Sequence, residues 1–162
     1  MMLADINNIQ SKLDDTVREL RDSYTTKGIK ASGKWGDSLE TYIEESDNSI
    51  KVGIKALDYI QYPEYGRGAN KVQSVEAAKK LYPIILKWAS VKGINVSNIN
   101  AFAFRTALKL VYKGYTVPNA HNPGGVISDV INESWIKEMI GVVGGDYIKN
   151  FESSIIRSLK LI

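Results

Sequence analysis

Four carboxylates, Glu40, Glu44, Glu45 and Asp47, fall within eight residues of one another. Carboxylates in pairs can hydrolyse glycosides, one as acid and the other as base or nucleophile. Nothing around them suggests a sugar cleft, and the same four residues fit the solvated face of a strand followed by a turn aspartate. The one histidine, His121, lies in the loop sequence Thr116–Gly125 (TVPNAHNPGG), and there is no cysteine. Disulfides and thiolate metal sites are therefore excluded. A single imidazole supports neither a histidine cluster nor an assignable Ser-His-Asp relay. Gly33-Lys34 is followed by Trp35 rather than the Ser or Thr of a phosphate-binding loop, and Gly66-Arg67-Gly68 lacks a third glycine. We assign no catalytic, cofactor-binding or metal-binding residue, and the expectation is a protein that is not an enzyme.

Basic residues occur at Lys27, Lys30, Lys34, Arg67, Lys71, Lys79 and Lys80. Together they could touch a phosphate backbone. The net charge of +3, from 21 basic and 18 acidic residues, is mild for a dedicated nucleic-acid binder. Acidic residues are expected to dilute the lysines into an ordinary solvated surface. A module contacting DNA through lysine-rich loops is the alternative reading, and a small hydrolase using the acidic hairpin is the third.

The elements that would position these groups follow from periodicity. Leu3, Ile6, Leu13, Val17, Leu20 and Tyr24 recur at helical spacing between polar residues, predicting a helix from Leu3 to Lys27 with a narrow apolar stripe. That stripe requires a partner, either the chain's own sheet or a neighbouring subunit. Alternating runs at Leu39–Glu45 and Ser49–Lys55, separated by Asp47-Asn48, predict a β-hairpin with Ile50, Val52 and Ile54 facing inward. Pro63 limits Ala56–Tyr65 to a helical turn. Gly66–Gln73 reads as a flexible loop. Helices are predicted at Pro83–Lys92, Asn98–Lys113 and Ser128–Met139. Gly141–Gly145 is expected to interrupt the last of these before a final helix at Asp146–Leu161. Three helices end in Lys-Gly, at Lys27-Gly28, Lys92-Gly93 and Lys113-Gly114, which suits both the helix dipole and the chain exit.

The predicted fold class is α+β: a long N-terminal helix and a small antiparallel hairpin-based sheet packed against several helices. One domain spans 1–162, with a loop insertion at about 66–74 and a C-terminal helical extension at about 141–162. At 44% hydrophobic and 24% charged residues the composition suits a soluble protein. No apolar run approaches the roughly 18–20 residues of a membrane span. The N-terminal MMLADINNIQ lacks a secretory pattern, so cytoplasmic synthesis is expected.

The succession Ser32-Gly33-Lys34-x-x-x-Ser38-Leu39, hairpin, Asp58-Tyr59-Ile60-x-x-x-Glu64-Tyr65-Gly66-Arg67 resembles the gene-ten-like tail-component family of lambdoid phages, the tail-completion or head–tail joining proteins. Ile85-Leu86-Lys87-Trp88-Ala89 is similar to that family's "apolar–apolar–x–Trp" helix. Ala103-x-x-x-Ala107-x-Lys109-x-Val111-Tyr112-x-x-Gly114 is similar to the helix before its "x-P" loop. The likeness covers roughly residues 3 to 140. Trp35, Pro63 and a long Lys71–Lys80 segment depart from the pattern.

The resemblance implies a virion structural protein of the phage neck, made in the host cytoplasm. It would form a six- or twelve-fold ring by heterologous contacts that close by rotation. Implied neighbours are portal, adaptor or stopper proteins, the tail tube or tail terminator, and genomic DNA touched non-specifically in the lumen, with no membrane partner. Residues expected at the interface are Trp35, Tyr59, Tyr62, Glu64, Tyr65, Gly66, Arg67 and Lys71. Tyrosine combines an apolar body with a polar tip, which suits such contacts. Arg67 could pair with Glu64, within the chain or across subunits. Gly66→Val is expected to harm assembly more than folding.

Overall fold

The computed structural model describes residues 6–29, 33–46, 49–57 and 61–145. The expected Asp47-Asn48 reversal, Tyr59 with its neighbours Asp58 and Ile60, and the final helix from Asp146 lie outside the described residues. The fold is α+β, with an N-terminal helix, an antiparallel hairpin and several further helices.

Helix α1 (Ile6–Thr26) buries Ile9, Leu13, Thr16, Val17, Leu20 and Tyr24. These positions return to one face every three or four residues, as a single helical stripe must. The stripe's partner is the chain itself. Strands β1 (Glu40–Ser46) and β2 (Ser49–Lys55) pair antiparallel with Ile43 opposite Val52 and Glu45 opposite Ile50. Ile43, Ile50, Val52 and Ile54 pack on the Ile9–Leu13 end of α1 together with Met139 and Trp135. Gly53 stands opposite Tyr42, whose ring occupies the space a side chain would need.

The other end of α1 meets a short helix, α2 (Lys34–Asp37), and residues 126–131. Tyr24 and Trp35 lie with ring centroids 4.5 Å apart. Trp35 is 2% exposed, so the expectation that it contacts another subunit is corrected: its ring is core. Its indole N–H finds no acceptor among the described residues. That omission costs about 1–3 kcal/mol. Burying an aromatic of about 150–250 Å² returns roughly 4–6 kcal/mol, so the ring stays inside.

Two helices differ from their sequence-based limits. Helix α4 (Val75–Val91) begins eight residues before Pro83, which sits in its interior. Ser74 caps it, accepting from the Ala77 N–H at 3.1 Å. An interior proline costs a helix about 3 kcal/mol. Here that cost is offset by Ala78 before the proline and Ile85 after it, both buried against helix α5 (Ile99–Lys113). Residues 133–145 form a helix, α6, so Gly141–Gly145 does not interrupt it. Val142 and Val143 pack on the core beside Met139, and this anchorage outweighs the poor helix propensity of glycine. Its start is set by Asn132, which accepts from the Trp135 N–H at 3.1 Å; residues 126–130 are turns. The Lys-Gly endings hold: Gly28, Gly93 and Gly114 have φ of 69°, 65° and 67°.

Two short elements complete the chain. Helix α3 (Tyr62–Tyr65) is the single turn expected around Pro63. Strands β3 (Gly66–Arg67) and β4 (Tyr115–Thr116) then pair antiparallel. The segment expected to be a loop from Gly66 therefore starts as a strand and is loop only from Gly68 to Ser74.

A partly buried hydrogen bond joins α6 to α1, beside the Lys12–Glu138 ion pair. The Thr16 hydroxyl accepts from Trp135 Nε1 at 2.7 Å and donates to the Lys12 carbonyl at 2.7 Å. Thr16→Val keeps the shape but removes the acceptor. It should lower unfolding free energy by about 1–3 kcal/mol, measured by urea denaturation, and by clearly less in a Trp135→Phe background, where the donor is already gone. Equal losses in the two backgrounds would contradict this role for the hydroxyl.

Candidate functional site: the aromatic corner and its clamp

The corner begins where α3 meets β3. Tyr62 is 41% and Tyr65 71% exposed, while Pro63 and Glu64 between them are buried. Residues i and i+3 of a helix share a face, so Tyr62 and Tyr65 stand out together while Pro63 and Glu64 between them turn inward. Glu64 is held from across the chain. One carboxylate oxygen accepts from the Ile127 N–H at 2.8 Å and the other from the Ser128 hydroxyl at 2.6 Å. Asn122 Nδ2 donates to the Pro63 carbonyl at 2.8 Å, and its Oδ1 accepts from the Gly124 N–H at 2.9 Å. The Tyr115 hydroxyl reaches the Tyr62 carbonyl at 3.2 Å.

Pairing of β3 with β4 depends on close backbone approach. Gly66 has φ 81° and ψ −163°, and a Cβ placed on it would lie 2.3 Å from the Tyr115 carbonyl oxygen. Gly114 has φ 67°, and a Cβ there would lie 2.1 Å from the Arg67 carbonyl oxygen. Each glycine admits the other strand's backbone. Beyond them the Asn70 N–H donates to the Val111 carbonyl at 2.9 Å, and Arg67 donates to the Asn70 side chain.

The expected interface residues thus divide by role. Tyr62, Tyr65 and Lys71 are exposed; Gly66 and Arg67 form the clamp. No Glu64–Arg67 pair forms within the chain: Glu64 is 8% exposed and serves Ile127 and Ser128, and Arg67 serves Asn70. Gly66→Val, expected to harm assembly more than folding, would strain the fold itself, since any side chain there meets the Tyr115 backbone. The hairpin carboxylates Glu40, Glu44 and Glu45 are exposed, with Glu40 opposite Lys55 and Glu44 opposite Lys51. His121 is exposed, its backbone N–H donating to Asn119 Oδ1 at 2.9 Å. Among the described residues no group of three or more His, Cys, Asp or Glu could hold a metal ion, and no helix is long and apolar enough to cross a membrane.

Sequence reasoning missed Asn122 and the far half of the clamp. The signal was Asn-x-x-Asn-x-Gly-Gly at Asn119–Gly125, a stretch dense in residues that turn on their own side chains. It also missed a second exposed apolar strip. Ile84, Trp88 and Val91, spaced four and three apart along α4, are 62%, 38% and 50% exposed. They flank the face that packs on α5 and extend its apolar surface outward.

No model of a known protein family, no curated protein and no solved structure matches this chain.

Two outcomes follow. Gly66→Ala should destabilise by about 2 kcal/mol or more, because backbone strain of about 1–2 kcal/mol is joined by a clash. Gly28→Ala, with positive φ and open space around it, should show the strain alone; equal midpoint shifts in urea would refute the clamp. Burial raises the Tyr115 phenol pKa above its usual 10, with Arg67 opposing and Tyr62 adding. The raised folded value means that this stabilisation is complete below pH 10 and is lost as pH climbs through the folded pKa. Tyr115→Phe should therefore flatten the alkaline limb of stability, followed by circular dichroism. An unchanged limb would contradict the assignment.

Proposed function

We propose that this chain is a non-catalytic structural protein of a bacteriophage neck, a subunit that binds copies of itself in a ring at the head–tail junction. The sequence resemblance supplies the identity of the assembly. The observation that carries the mode of action is the exposed apolar and aromatic surface, held on rigid elements: Ile84, Trp88 and Val91 on α4, and Tyr62 and Tyr65 on the corner.

Large apolar side chains exposed in a strip mark interaction surfaces more often than isolated ones do. Trp and Tyr supply contact area at small entropic cost and dominate interface energetics. The two surfaces differ in shape and composition, which suits a heterologous contact in which one patch of a subunit meets another patch of the next. Such contacts generate rings when the rotation closes. The clamp beneath the corner supports this reading, because a preorganised patch loses less freedom on binding. Portal, adaptor or terminator proteins would meet the two faces of the ring.

Native mass spectrometry of the full chain tests the proposal. A discrete closed oligomer, six- or twelve-fold by the resemblance, is the expected result. Ile84→Asp should convert it to monomer with an unchanged far-ultraviolet circular dichroism spectrum. A monomer at every concentration, or an oligomer indifferent to Ile84→Asp and to Tyr65→Asp alike, would overturn the reading.

A further inference from the structure

Between Gly66 and His121 the chain carries nine Lys or Arg residues and one carboxylate, Glu76. The net charge of +3 is thus +8 on this stretch and −5 on all the rest. The expectation that acidic residues dilute the lysines fails here, and it fails over one structural unit. The stretch runs from β3 to just past β4 and holds the α4–α5 hairpin, whose apolar cluster contains residues of α4 and α5 alone.

The fold spends its ion pairs elsewhere. Among the described residues the pairs are Lys12–Glu138, Arg18–Asp15, Lys27–Asp129, Lys137–Glu133 and, within this unit, Lys79–Glu76. Lys71, Lys80, Lys87, Arg105, Lys109 and Lys113 form no ion pair with a described residue, and five of these six are on the helices.

Their placement on α5 is periodic. Ala103, Ala107 and Val111 face α4 and are buried. Arg105, Lys109 and Lys113 follow each of them by two residues, or about 200° of helix, and so occupy the opposite face. All three are exposed. Arg105 and Lys109 also line an open groove of about 540 Å³ with Ser97, Asn98, Phe102 and Thr106. The groove supplies neutral donors and one aromatic ring next to two guanidinium or ammonium groups, with no carboxylate in its wall.

We propose that the outer face of α5 binds the phosphodiester backbone of nucleic acid, without reading its sequence. A carboxylate-free row of cations on a helix face, beside hydroxyl and amide donors, is the chemistry that positions proteins on phosphates. A second copy of the chain is the weaker match. The remainder of each copy carries only −5 against +8. Its carboxylates are also partly engaged, by Lys12, Lys27 and Lys137 in ion pairs. The proposal stands apart from the ring reading, since a monomer could bind DNA by this face.

The test is fluorescence anisotropy of a labelled mixed-sequence DNA duplex with the full chain at 50 to 200 mM salt. Three phosphate contacts predict an affinity that falls about 40-fold over that range. Each of Arg105→Gln, Lys109→Gln and Lys113→Gln should reduce the log–log slope by about one, while Lys137→Gln on the body leaves it unchanged. These side chains project into solvent, so circular dichroism should be unaltered. No binding at 50 mM salt, or a slope indifferent to the three α5 variants, overturns the proposal. So does salt-sensitive self-association that those variants abolish in the absence of DNA binding, which would give the face to a second copy. Binding to vesicles with anionic lipid but not to DNA overturns it equally.

Discussion

The pairing of β3 with β4 governs the molecule. Two residues of each strand close an excursion of 47 residues, from Gly68 to Gly114. Closing a flexible loop of that length costs about 3 kcal/mol beyond a constant, and a net hydrogen bond contributes only about 1 kcal/mol. A two-residue ribbon is therefore inadequate alone. Glu64 seated on Ile127 and Ser128, and Asn122 on Pro63, add contacts on the body side. Asn70 bonded to Val111 adds one on the helical side. Gly66 and Gly114 are the condition for all of it, because only an absent Cβ lets the two backbones meet.

The clamp separates two kinds of surface. On the body, α1 is covered by the hairpin and by residues 126–143, and its stripe is spent within the chain. On the excursion, α4 and α5 share a core whose buried residues are Ala78, Ala103 and Ala107 with Ile85 and Val111. Small residues at a helix contact let the backbones approach and leave the large ones outside, which is how Ile84 and Trp88 come to be exposed. The same geometry turns the cations outward. An apolar strip and a basic face thus occupy different sides of one small unit, and the body carries the compensating negative charge.

Much of this was legible in the sequence, for local reasons. The α1 stripe, the hairpin alternation and the Lys-Gly endings each depend on residues close together in the chain. Ile9 lies on the same stripe, three residues after Ile6 and four before Leu13. Pro83 misled, since its local preference for a first turn was overridden by packing on both sides of it. The Ser74 cap, only three residues before Ala77, was the competing local signal. Gly141, Gly144 and Gly145 misled in the same way, with Val142 and Val143 supplying the anchorage. The site was less legible. Tyr62 and Tyr65 could be read as surface, but Glu64 finds its partners some 60 residues away, and nothing near position 64 announces them. Trp35 could not be placed either, because an indole suits a core and an interface equally well. The charge asymmetry was present in composition but hidden by averaging over the whole chain.

Native-state amide hydrogen exchange tests most directly whether the clamp holds the two parts together. The account predicts that the Ile127, Gly124 and Asn70 amides exchange only on global unfolding, with the same free energy as the buried turns of α1. Exchange of those three at the rate of open loops, while α1 and α5 stay protected, would contradict it.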